Sequence, residues 1–114
     1  AWGEPRTTPA LREMDFGDYD GRKFTEIPRE AIAQLAAFTE YRAPGGESLG
    51  EVVARVSGFL DALPPGRHLC FAHGGVIRLL GGMVGRPVMV GNTGWLELAW
   101  RSRRVVGYRE TPLT

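Results

Sequence analysis

With 114 residues the chain is sized for one domain with a single core, and is small for a complete doubly wound fold. A composition of 43% apolar and 24% charged residues excludes a disordered chain, and a formal net charge of +1 removes the electrostatic case for nucleic acid, which needs a clustered basic excess. All fourteen cations except Lys23 are arginine, and they are scattered among acids. The single cysteine, Cys70, has no intrachain partner and lies in an apolar run, so packing is its expected role and nothing argues for an oxidising compartment. No apolar run approaches the ~20 residues of a membrane span and no signal peptide is visible, so the expected compartment is the cytoplasm. The chain opens with Ala1 instead of methionine, compatible with processing and with a chain that has lost its beginning.

Residues 1–9 hold turn formers and little periodicity, and Trp2 reads as a cover for apolar surface. Leu11 to Gly21 carries four acids in eleven residues, with Gly17 and Gly21 at two turn points, which predicts a structured loop and no helix. A solvated acidic loop is one account of it. Under the other, Leu11, Met14 and Phe16 pin the loop to a core and hold Glu13 in one place, and a held carboxyl can act as a general acid.

From Thr25 the pattern turns helical, with Thr25 as a cap, Pro28 in the first turn, and Ala31, Ile32, Leu35, Ala36 and Phe38 as an apolar face. Such an insert can cover a site, and core packing explains the same residues. Tyr41 to Gly46 breaks the pattern at Pro44-Gly45-Gly46. Ser48-Leu49-Gly50-Glu51 has capping-box spacing, followed by Leu49, Val52, Val53, Val56, Phe59, Leu60 and Leu63 at helical intervals until Pro64-Pro65-Gly66. Arg55 and Asp61 fall outside that stripe and read as surface or pairing residues.

Arg67 to Arg78 is the stretch around which the rest is organised. Its apolar part, bounded by Pro64-Pro65-Gly66 and Gly74-Gly75, predicts a buried strand with His73 at its carboxyl end. A helix is expected over Val76 to Val84, ended by Gly85. Ligands of open α/β sheets bind at strand carboxyl ends beside helix N-termini, where free N–H groups attract anions and glycines admit close backbone approach. The alternative for His73 is an ordinary histidine bonded to a carbonyl. Strands over 95–100 and 105–108 follow, joined by the hairpin Arg101-Ser102-Arg103-Arg104. Those three arginines, beside Trp95 and Trp100, are the one feature that could suggest nucleic-acid contact; a charged hairpin tip is the ordinary account.

Four segments, in the right order, resemble the histidine phosphatase superfamily of phosphoglycerate mutase-like proteins. Leu11-x-Glu13 followed by Gly17 and Gly21 is similar to that family's acid-donor loop. Pro44-Gly45-Gly46-Glu47-Ser48 with Arg55-Val56 resembles its helix entry, and Phe71-Ala72-His73-Gly74-Gly75-Val76-Ile77-Arg78 its second-histidine motif, while Asn92 to Trp100 resembles the closing strand. The nearest look is to small bacterial phosphatases such as α-ribazole phosphatase, rather than to true mutases. The resemblance implies an α/β three-layer sandwich and phosphoryl transfer through a phosphohistidine. It implies His73 as the second histidine, Glu13 as the proton donor and Gly74 as a backbone N–H donor to the phosphate, with no cofactor and no metal. The partner it implies is a small phosphorylated metabolite, with no nucleic acid and no membrane.

The family's nucleophile segment, Arg-His-Gly-x-Thr on the first strand, and its Arg-Ala-x-x-Thr-Ala helix are not in this sequence. His68 is the sole possible substitute, and on a regular strand it would lie roughly 16 Å from His73 and on the opposite face. The expectation is therefore the carboxyl-terminal part of one histidine phosphatase domain, 1–114, lacking the N-terminal nucleophile-bearing strand and inactive alone. A second copy, as a homodimer, or the missing N-terminal segment would fill the gap. Three readings follow: a phosphomonoesterase completed by that segment, a non-catalytic phosphate- or partner-binding module on the same fold, and a basic hairpin that binds nucleic acid.

Overall fold

A computed structural model of the chain describes residues 3–36, 42–88 and 90–111. The expected roles of Trp2, Phe38 and Tyr41, and those of the Leu35 and Ala36 side chains, fall outside what is described. The chain divides into two compact units, one made of Ala1–Glu13 with Arg55–Thr114 and the other of Met14–Ala54. In chain order the elements are helix α1 (Arg29–Ala36), helix α2 (Leu49–Ala62), helix α3 (Gly74–Met83), strand β1 (Trp95–Ala99) and strand β2 (Arg104–Arg109), with short 3-10 turns at Pro9–Leu11, Gly17–Tyr19 and Phe24–Glu26. The result is a mixed α/β chain. Of the expected layered sandwich, the described residues hold these helices and one two-stranded sheet.

In the unit Met14–Ala54, the acidic loop is pinned as its apolar residues require: Met14 is buried and Phe16 half-buried. Asp15 and Glu47 bond reciprocally, the Glu47 amide to the Asp15 carbonyl at 2.8 Å and the Asp15 amide to Glu47 Oε1 at 2.9 Å. Gly17 adopts φ +56, and a Cβ there would strike the Pro44 carbonyl, so only glycine fits this crossing of two turns. The Pro44-Gly45 turn is closed by the Gly46 amide on the Ala43 carbonyl at 2.9 Å. Helix α1 begins later than the expected Thr25, which instead lies in a 3-10 turn. The reason is local: the residue before Pro28 is sterically pushed out of the helical region, and the first helical bond runs from the Ile32 amide to the Pro28 carbonyl.

Helix α2 starts as its capping box dictates. Ser48 Oγ accepts from the Glu51 amide at 3.1 Å, and Glu51 Oε2 accepts from the Ser48 amide at 3.4 Å. Leu49, Val52 and Val56 of its apolar stripe are buried, the last completely.

In the other unit, Leu11, Val56, Val76, Leu79, Val88 and Val90 are buried, and α3 packs against β1. Helix α3 ends in a Schellman arrangement: Gly85 takes φ +77, its amide bonds the Gly82 carbonyl at 3.1 Å, and the Arg86 amide bonds the Gly81 carbonyl at 2.8 Å. Gly85 therefore ends the helix, as expected, but the helix begins at Gly74, two residues before the expected Val76, and takes in both glycines. Strands β1 and β2 pair antiparallel, Trp95 opposite Arg109 and Ala99 opposite Arg104, with an irregularity between Glu97 and Leu98.

One expected element is not formed. Residues 67–73 are in no sheet; Leu69 is 54% and Phe71 86% exposed, and Cys70 is exposed instead of packed. A strand exists only when a neighbour takes its N–H and C=O groups, and among the described residues the one sheet is β1 with β2. The apolar composition of the run is present; the ladder is not. His73 itself is extended, with φ −117 and ψ 157, and serves as the N-cap residue of α3.

Candidate active site

The N-terminus of α3 brings together the residues that the sequence singled out. The first turn-closing bond runs from the Ile77 amide to the His73 carbonyl at 3.1 Å, so the amides of Gly74, Gly75 and Val76 precede the helix's own ladder. Into this end reaches Glu13, half-buried, from a segment sixty-two residues earlier: the Gly75 amide donates to Glu13 Oε2 at 3.2 Å. Gly75 is what permits this approach, because a Cβ at that position would collide with the Glu13 carboxylate. Gly74 is close to the Val90 carbonyl, at 3.1 Å from where its Cβ would stand. The His73 side chain is exposed and makes no capping bond to its own helix. An exposed imidazole, a carboxylate and a set of aligned amides therefore occupy one helix end.

Glu13 is held from behind as well. Leu11, two residues before it, is buried, and the turn Pro9–Leu11 is capped by Thr8, whose Oγ1 accepts from the Ala10 amide at 3.2 Å. From α2, Arg55 spans the same short segment: Nη1 donates to the Ala10 carbonyl at 2.7 Å and Nη2 to the Glu13 carbonyl at 3.3 Å. The sequence placed Arg55 only as a surface or pairing residue. Its helical position outside the apolar stripe was the available signal, and the carbonyls that it grips lie 45 and 42 residues away in the chain.

His68 is not part of this arrangement. It is exposed, and its Nε2 donates to the Pro64 carbonyl at 2.8 Å, a bond local to the turn that follows α2. At the hairpin tip, Arg103 lies over the Trp100 ring at 3.6 Å, and the Trp100 indole N–H donates to Asp61 at 2.7 Å. A shallow depression lined by Asp61, Trp100, Arg101 and Arg103 contains none of the predicted site residues. Among the described residues there is no cluster of three or more His, Cys, Asp or Glu side chains that could hold a metal, and no helix long and apolar enough to cross a membrane.

The fold has known counterparts. The family model of the histidine phosphatase superfamily (branch 1) matches residues 3–108, and the chain belongs to that superfamily. Its fold is that of phosphoglycerate mutase-like proteins. A structure described as a phosphoglycerate mutase from Thermus thermophilus superimposes with a TM-score of 0.86 at 31% identity, over 96% of this chain and 63% of the other. The structure of TTHB049 from the same organism gives 0.85 at 32% identity, over 93% of this chain and 59% of that one. The chain thus spans about three-fifths of the length of these structural relatives. No curated protein matches it.

Proposed function

We propose that this chain carries the acid and anion-binding part of a phosphomonoester hydrolase that works through a phosphohistidine. The single observation behind this reading is the Glu13 carboxylate held at the Gly75 amide, one helix end shared with exposed His73. In the reaction, a nucleophilic imidazole forms a P–N bond as the P–O bond to the alcohol breaks, and the Glu13 carboxyl gives its proton to the departing oxygen. Water then attacks the phosphorus of the phosphohistidine, an O–P bond forming as the P–N bond breaks and the imidazole is regenerated, with the water proton passing to the Glu13 carboxylate and inorganic phosphate released. His73 and the Gly74 amide stabilise the equatorial oxygens of the transferred group, a role suited to a hydrogen-bonding imidazole and a helix N-terminus.

The nucleophile belongs, in this reading, to a segment outside residues 1–114. His73 has the place of the second histidine, and His68 is tied to Pro64. The run 67–73, with Leu69, Cys70 and Phe71 exposed and no ladder partner among the described residues, suits pairing with such a segment or with a second copy of the chain. The substrate is a small phosphorylated metabolite. Phosphatase action is favoured over mutase action by the look of the motifs, although one structural relative is described as a phosphoglycerate mutase.

The test is to offer an aryl phosphate to the 114-residue chain and to an upstream-extended form, and to assay for an acid-labile phosphoenzyme. Turnover confined to the longer form supports the reading. Phosphate binding without turnover in both forms would assign a non-catalytic module instead.

A further inference from the structure

We infer that Arg55 is the positioning residue for Glu13. The inference deepens the reading of Glu13 as the proton donor, but its first test does not depend on that reading. The guanidinium is a flat fork, and here its two prongs take two carbonyls three residues apart, Ala10 at 2.7 Å and Glu13 at 3.3 Å. These bracket Leu11, whose buried side chain fixes the same segment from the core side. A segment gripped at both ends and anchored in the middle holds the backbone of Glu13 where its side chain reaches the Gly75 amide, at 3.2 Å. Arg55 touches neither Gly75 nor His73 through any of these bonds; it acts on the site through the backbone of Glu13. A general acid must sit within hydrogen-bond reach of the oxygen that it protonates, and small displacements from that geometry are costly.

Lysine cannot replace this contact. It offers a point charge on a flexible stem and no fixed fork, so it can satisfy one carbonyl without setting the distance between two.

The experiment reads the Gly75 amide by NMR in the 114-residue chain. Glu13→Ala removes the acceptor and defines where the Gly75 amide proton resonates without it. Arg55→Ala is expected to move the Gly75 resonance most of the way to that position, with the amides of β1 and β2 unmoved, and to add nothing when combined with Glu13→Ala. Arg55→Lys is expected to move it part of the way. A Gly75 resonance at the wild-type position in Arg55→Ala overturns the inference. If Arg55→Ala collapses the β1–β2 dispersion, Arg55→Lys decides, and an unshifted Gly75 resonance there overturns it equally. In a form that turns over, Arg55→Lys should lower kcat for alkyl phosphates with little change in KM. If the Gly75 resonance behaves as expected while Glu13→Gln leaves that hydrolysis intact, the positioning role stands and the proton-donor reading falls.

Discussion

The amide of Gly75 donates to Oε2 of Glu13 at 3.2 Å, joining the start of α3 to a loop sixty-two residues earlier. The approach is possible because residue 75 has no side chain. Gly75→Ala should therefore displace the Glu13 carboxylate despite alanine's better helix propensity, worth up to about 1 kcal/mol. In an active form the expected outcome is a large loss of kcat with the fold retained by circular dichroism. Full activity in Gly75→Ala would separate the carboxylate from the chemistry.

Gly58, in the middle of α2, is the control. It is exposed, and a Cβ there would meet nothing within 4 Å. Gly58→Ala should stabilise the chain by roughly 0.5–1 kcal/mol through backbone entropy. The check is the urea midpoint, and a fall in it would mean that the α2 surface at Gly58 is covered.

Acid sensitivity should arise at the start of α2. Arg42 hydrogen-bonds the Glu51 side chain and holds its carboxyl below its ordinary value of 4.5, with the Ser48 amide adding to the effect. A carboxyl lowered in the folded state stabilises fully above its unfolded value and loses that contribution as pH falls through the lower native one. The wild-type urea midpoint should accordingly drop from about pH 6 to about pH 3 by more than that of Glu51→Gln. Parallel pH profiles for the two proteins would remove Glu51 from the account. Ser48→Ala, which removes the other half of the capping box, should cost roughly 1 kcal/mol at neutral pH.

Cys70 tests the unformed strand. It is exposed, and partial desolvation of its sulfur raises the thiol pKa above its ordinary 9.0. A thiol reagent should label it completely in the folded chain, slowly at neutral pH and faster as the solution is made alkaline, since the thiolate is the reacting species. Protection that persists until denaturant is added would mean that 67–73 is covered after all.

What was legible in the sequence was local. Ser48 and Glu51 satisfy each other within one turn, and α3 ends at Gly85 through its own bond three positions back and that of Arg86 five positions back, so neighbouring letters suffice to read both. The pinning of the acid loop by Leu11 and Met14 was also readable from apolar residues set among acids. The expected strand over 67–73 does not form because Leu69, Cys70 and Phe71 supply strand composition only, whereas a strand is a property of two segments and the second is not beside it among the described residues. Arg55 is legible as a pairing residue, but what it pairs with is not. Its partners are carbonyls, which have no letter in a sequence, and they lie more than forty residues away.

In the proposed reaction Glu13 donates a proton from its place at the head of α3, and the leaving-group dependence of Glu13→Gln in the upstream-extended form tests this most directly. Hydrolysis of an alkyl phosphate, whose alcohol must be protonated to depart, should fall roughly 10²–10⁴-fold, while that of an aryl phosphate with an acidic phenol should fall far less. Equal losses for both substrates, or none for either, would contradict it.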